Sequence, residues 1–163
     1  MLGFRTMELG RAQMALSGPA EKLALTLAEG GLQRMTARVL AALLFTDQET
    51  MTAGEIADTL AISSGSVSTA IKSLATVGLI ERVPAPGSRR EHFRLREGAW
   101  ATLMSGQNAM IGSMREAAEE GITVAGEGSL AGARLAEMRD FYDYLWRELP
   151  ALIDRWRDNK GDQ

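Results

Sequence analysis

Between residues 61 and 97 two periodicities meet in a way that few architectures accommodate. Residues 63–76 place Val67, Ala70, Ile71 and Leu74 at helical spacing. After Gly78 the pattern becomes that of strands, 79–83 and then 92–96, where Phe93 and Leu95 alternate with His92, Arg94 and Arg96. A helix that stops at a glycine and runs directly into a hairpin, turned through Pro84, Pro86 and Gly87, must hold that hairpin beside itself. Arg89 and Arg90 lie at its tip.

The residues just upstream pair this helix with another. Thr52 and Glu55 have the spacing of a capping box, so a helix starts there and runs to about Leu60 with Ile56 and Leu60 inward. Ala61 and Ile62 form a tight turn, and Ser63 is a good N-cap for the next helix. Two helices across a three-residue turn make a helix-turn-helix, and the hairpin makes it a winged one. The outer face of the second helix carries Ser64, Ser66, Ser68, Thr69 and Lys72. Short hydroxyl side chains let a helix enter a major groove about 12 Å wide and bond to base edges or phosphates, and Lys72 reaches a phosphate. An arginine-tipped hairpin suits the narrower groove, where negative potential concentrates. Arg94 and Arg96 read as solvent-facing residues of the hairpin.

Charge supports the same surface. The chain carries a net −3, yet residues 63–96 hold six basic side chains against Glu81 and Glu91, a local +4, so the remainder carries −7. Positive charge confined to one stretch argues for a partner met at one face and against indiscriminate coating of nucleic acid.

The rest of the chain is mostly helical. Residues 19–29 form a short first helix ended by Gly30 and Gly31, and 33–45 form a buried second helix with Met35, Val39, Leu40, Leu43 and Leu44 on one side. Residues 47–49 make a polar turn. From residue 97 a long fifth helix carries Trp100, Leu103, Met104, Met110, Ile111 and Met114. Beyond a turn at Gly126 and Gly128, Leu135, Met138, Tyr142, Leu145, Leu149, Leu152 and Trp156 recur at alternating spacings of three and four, a heptad seam. Pro150 interrupts it and is expected to kink or restart the helix near Leu149. Periodicity alone does not separate internal packing from a subunit interface, but a reading head of about 70 residues is too small to cover both helical ends, which favours a second chain. Two half-sites one helical turn apart also require two reading helices about 34 Å apart.

The expected fold is therefore mainly α, a winged helix-turn-helix of three helices and a two-stranded β-wing, with long N- and C-terminal helices forming a dimerisation region. The expected divisions are a flexible segment at 1–18, a helix of the dimer region at 19–31, the DNA-binding domain at 32–97 and the helical dimerisation region at 98–163. No cysteine and one histidine, His92, leave no metal-ligand set and no nucleophile with a choice of bases. Glu119 and Glu120 are adjacent on a helix and point to different faces, so no catalytic cluster, cofactor site or metal site is expected. No run approaches the roughly 18 apolar residues of a membrane span, and the first twenty residues lack the apolar segment of a secretory signal, so the expected location is cytoplasmic.

The run RMTARVLAALLFTDQETMTAGEIADTLAISSGSVSTAIKSLATVGLIERVPAPGSRREHFRLREGAW resembles the MarR superfamily of winged-helix transcription regulators, and within it the GbsR-like branch. The resemblance covers residues 31–100 well and the helical remainder more loosely. It implies a homodimer on a near-palindromic duplex DNA operator, commonly repressing nearby genes, often for membrane transport, and released by a small molecule bound between dimer body and reading head. By position it puts Ser64, Ser66, Ser68, Thr69 and Lys72 on the recognition helix and Arg89 and Arg90 on the wing. Ser88 stands where the branch often has an acid that shapes the wing. Either Glu91 substitutes for it or the wing is looser, which leaves Arg90 between insertion into DNA and a structural ion pair.

Met104, Met110 and Met114 along one helix, with Met35 on another, either fill a core or line a pocket for a greasy ligand. The residues favour the core, and the resemblance makes a lipophilic effector worth testing, with Arg34 or Arg38 to hold a polar end. The competing function is a winged-helix module that binds protein and no specific DNA. It has no need of a +4 stretch with arginines at the hairpin tip.

Overall fold

A computed structural model describes residues 16–161. The N-terminal segment expected over residues 1–18 lies, up to residue 15, outside the described residues. The chain divides into two compact units, one ending at Ala99 and one beginning at Trp100.

In the first unit a single wide turn, Leu16–Ala20, leads into α1 (Glu21–Glu29), followed by α2 (Arg34–Phe45), β1 (Met51–Thr52), α3 (Ala53–Leu60), α4 (Ser64–Thr76), β2 (Ile80–Val83) and β3 (His92–Leu95). Helix α2 is the centre of the packing, because Thr36, Ala37, Val39, Leu40, Ala41, Ala42 and Leu43 are all buried and α1, α3 and α4 lie against it. Leu40, Val39, Ile56, Val67 and Leu74 are the largest fully buried side chains and form the junction of the three helices. Side chains packed this way each contribute about 1.5–3 kcal/mol of apolar burial. On the other flank of α2, Ala24 of α1 meets Ala37 and Ala41, with Leu27, Ala28 and Leu32 around them. Small residues let α1 approach closely, and Arg38 ties the pair by donating from Nε and Nη2 to Oε1 of Glu21 at 3.0 and 2.8 Å.

The wing differs from the two-stranded expectation. It is a three-stranded antiparallel sheet in the order β1-β3-β2, with Met51 opposite Phe93 and Thr52 opposite His92 on one side, and Ile80 opposite Leu95 on the other. Two residues are too few to show alternation, so β1 exists only through its pairing with a strand about 40 positions later.

The second unit is a hairpin of two long helices, α5 (Ala99–Ala125) and α6 (Leu130–Gly161). Gly126, at φ +83°, makes the left-handed turn, and Ser129 caps α6 by accepting the N–H of Gly132 at 2.9 Å. The helices run antiparallel: Leu135 meets Gly121, Arg139 meets Glu119, Arg115 meets Asp143, Trp146 meets Gly112 and Arg157 meets Ser105. Glycines 112 and 121 are notches. A Cβ at Gly112 would lie 2.8 Å from the Trp146 ring, and one at Gly121 would lie 2.8 Å from Leu135 Cδ1. Of the kink or restart expected at Pro150, the restart does not occur, since α6 runs through it. A missing N–H removes one ladder bond, which a helix of 32 residues held on both sides of that point survives. No helix among the described residues is long and apolar enough to cross a membrane.

Candidate nucleic-acid interface

The reading surface is assembled from local hydrogen bonds. Thr52 Oγ1 accepts the N–H of Glu55 at 3.2 Å, and Glu55 Oε2 accepts the Thr52 N–H at 2.7 Å and its hydroxyl at 2.8 Å. This is the complete capping box that starts α3. The Thr52 backbone N–H, more than any other cause, holds the Glu55 carboxyl below its ordinary value of 4.5, and the nearby charges of His92 and Arg90 act in the same direction against the effect of burial. Ala61 closes α3 in the left-handed conformation at φ 52°, which turns the chain sharply enough for Ser63 to cap α4 by accepting the N–H of Ser66 at 3.2 Å.

Helix α4 buries Val67, Ala70, Ile71 and Leu74 and leaves Ser64, Ser68, Thr69 and Lys72 exposed, with Ser66 half-buried. The hydroxyls are not equivalent. Ser66 Oγ lies 3.0 Å from Ser63 Oγ within the cap, and Thr69 donates to the carbonyl of Gly65 at 3.0 Å, which leaves it as an acceptor. Ser64 and Ser68 make no side-chain hydrogen bond among the described residues and keep their donor and acceptor for a partner.

The wing tip is shaped by a serine rather than an acid. Ser88 N–H bonds to Ala85 O at 3.0 Å around Pro86 and Gly87, the latter at φ +80°, as a type II turn requires. Ser88 Oγ accepts the N–H of Arg90 at 3.1 Å and lies 3.1 Å from His92 Nε2, while His92 Nδ1 lies 2.9 Å from Thr50 Oγ1. The imidazole thus links the tip loop to the residues that precede β1. Glu91 does not stand in for the acid beside the arginines, because it pairs with Arg82.

The six basic residues of the stretch separate cleanly. Arg82 is paired with Glu91, Arg94 bonds Glu81 at 2.9 Å from the position directly opposite it in the sheet, and Arg96 approaches the same carboxylate at 3.8 Å. Lys72, Arg89 and Arg90 have no carboxylate partner among the described residues, and all three are exposed. Lys72 and Arg90 line one open cleft of about 400 Å³ together with Thr52, Ala53, Gly54, Ser68, Ile71, Glu91 and Phe93.

The other predicted residues fall in separate places. Met35 is half-buried on α2, whereas Met104, Met110 and Met114 lie on α5 in the second unit, with Met104 and Met110 46% and 54% exposed. Arg38 is occupied by Glu21 and, with Arg34, lines a groove of about 500 Å³ between α1 and α2. On α6, Leu135 rests against Gly121 of its own chain, Met138, Tyr142, Leu145 and Leu149 are half-buried, and Leu152 and Trp156 are 56% and 58% exposed. The residues that sequence reasoning missed are Thr50, Ser88 and His92 as a unit, and Gly54. Nothing in their spacing signals the contacts, which depend on the pairing of β1 with β3.

Residues 30–91 match the model of the MarR family, and residues 98–159 match that of the MmpR5-like MarR family transcriptional regulators. The chain is 33% identical over 132 residues to the HTH-type transcriptional regulator MmpR5 of Mycobacterium tuberculosis, covering 80% of each protein. This chain belongs to the MarR family of transcriptional regulators. A crystal structure of a transcriptional regulator superimposes with a TM-score of 0.73 at 31% identity, over 85% of this chain and 95% of that one. Family membership makes this MarR-family chain a DNA-binding transcriptional regulator and not an enzyme. The GbsR-like branch rests on the sequence resemblance alone.

Proposed function

We propose that this protein is a homodimeric repressor that reads a near-palindromic operator with α4 and the wing of each protomer and is released by a small lipophilic effector. The observation that carries the DNA face is the sorting of charge: of six cations in the stretch, three are neutralised within the hairpin, and the free ones are Lys72, Arg89 and Arg90. Ser64 and Ser68 are the base-reading hydroxyls with both donor and acceptor available, Ser66 and Thr69 contribute as partly engaged ones, and Arg89 at the tip reaches the minor groove or its phosphates.

A second copy supplies the cover that a two-helix unit lacks. Helices α5 and α6 are about 40 and 48 Å long at 1.5 Å per residue, and α6 exposes Phe141, Tyr144, Trp146, Leu152 and Trp156. Phe141, Tyr144, Leu152 and Trp156, each more than half exposed, are the side chains a second copy would cover. The seam from Leu135 to Trp156 is the interface in this reading, with residues 19–31 assigned to the dimer region and the other domain limits at 32–97 and 98–163. The effector reading draws support from Met104, Met110 and Met114 on α5, and from Asn108, whose Oδ1 is buried without a hydrogen-bond partner. The affiliation with the GbsR-like branch, and control of nearby transport genes, are carried forward from the sequence resemblance.

Binding to duplex DNA over a range of salt tests the reading. Arg89→Ala weakens all sequences alike and lowers the slope of log K against log salt by about 0.9. Ser68→Ala changes sequence preference instead. A protein that retains no duplex at low salt is the protein-binding module, and the proposal is then wrong.

A further inference from the structure

We propose that the cleft between α3, α4 and β3 is a clamp for a single DNA backbone phosphate, gripped jointly by Lys72 of the recognition helix and Arg90 of the wing. This rests on the DNA-binding reading above and assigns Arg90 a role distinct from that of Arg89. Two cations from elements remote in sequence line one open cleft of about 400 Å³, and neither has a carboxylate partner among the described residues. Of the acids nearby, Glu91, which also lines the cleft, pairs with Arg82, and Glu55 turns its carboxylate to the N–H and the hydroxyl of Thr52, so that Arg90 acts on it through charge without an ion pair. Ser68, with its hydroxyl unbonded, is a third donor at the wall. Ile71 and Phe93, both buried, form the apolar part of the lining, which strengthens attraction to an anion there. A phosphodiester offers two non-bridging oxygens and a single negative charge, which fits a cleft lined by one guanidinium, one ammonium and one hydroxyl.

The clamp couples wing to helix, since one phosphate fixes the register of both. Arg89, outside the cleft, is left as the tip residue. Gly54 gives a way to block the site without touching either cation. A Cβ there meets only Thr52 Oγ1, at 3.9 Å, so a longer side chain has open space to occupy.

The test is the salt dependence of binding of the full chain to a duplex that the wild-type protein selects from a random pool, for Lys72→Ala, Arg90→Ala, the double variant, Gly54→Glu and Arg89→Ala. A shared phosphate predicts that each single variant at the cleft binds more weakly but changes the slope by less than half a unit, because the remaining cation still neutralises the phosphate. The double variant loses about 0.9. Gly54→Glu loses the same slope while its unfolding midpoint stays level or rises, because an acid in the first turn of a helix is favourable. Single losses of about 0.9 that add to about 1.8 in the double variant mean two separate phosphates and overturn the clamp, as does an unchanged slope in the double variant. Arg89→Ala keeps the two levels apart: if it loses its own 0.9 while the cleft variants add, only the clamp fails. Absence of any duplex binding by the wild type removes the DNA reading itself.

Discussion

Thr52→Val removes one hydroxyl and preserves a buried, β-branched shape in β1, so its cost isolates the capping box. Thr52 is 5% exposed. Its oxygen accepts the Glu55 N–H at 3.2 Å and donates to the Glu55 carboxylate at 2.8 Å, while the backbone bond from Thr52 N–H to the same carboxylate survives the change. Losing the cap acceptor costs about 1 kcal/mol, and losing the hydroxyl bond to a partly exposed carboxylate costs about 1 kcal/mol more, a total of about 2 kcal/mol. The cost depends on pH. Glu55 is held below 4.5 in the folded protein first by the Thr52 N–H, which both proteins keep, and further by the Thr52 hydroxyl, which only the wild type has. A carboxyl with a depressed folded pKa stabilises fully above its unfolded value, and that contribution disappears as pH falls through the folded value. The gap between wild type and Thr52→Val in urea unfolding is therefore level from pH 7 to about 5 and narrows below 4.5, where only the cap acceptor still differs. A gap under about 0.5 kcal/mol at neutral pH, or one that stays constant into acid, means that the Thr52 hydroxyl does not stabilise the fold through the Glu55 carboxylate.

Leu74→Ala empties a fully buried site at the junction of α2, α3 and α4 and costs about 2–5 kcal/mol in the same assay. Arg94→Ala, whose guanidinium is engaged by Glu81, leaves DNA affinity within about twofold and the salt slope unchanged, in contrast to Arg89→Ala. Trp156→Ala and Leu152→Ser, at exposed positions of α6, shift sedimentation toward the monomer, and a wild-type mass equal to one chain at micromolar concentration counts against the dimer.

What was legible in the sequence is what local chemistry specifies. Thr52 with Glu55, Ser63 before α4, and Gly78 after it at φ +77° each act over a few residues, and each does what its spacing implies. The reading of Arg94 and Arg96 as residues of the hairpin itself agrees with their shared carboxylate, but the partner could be named only once the register placed Glu81 opposite Arg94. Long-range contacts were invisible. Strand β1 has two residues and no period of its own, and Thr50 meets His92 only because that strand pairs with β3. Serine in the acid's place left the wing ambiguous in sequence, whereas Ser88 bonds both the Arg90 N–H and the His92 ring. At Pro150 the restart, one of the two outcomes expected there, fails for a related reason. The rule for a lone proline ignores the packing of the helix on either side of it.

In the proposed dimer, two copies of the surface built from α4 and the wing read one duplex. Selection of bound duplexes from a random pool by the full-length protein tests it most directly. A dimer of this kind enriches two inverted half-sites with centres about 10 base pairs apart, one helical turn, as two symmetry-related recognition helices require. Recovery of a single asymmetric half-site, or no enrichment at low salt, contradicts it.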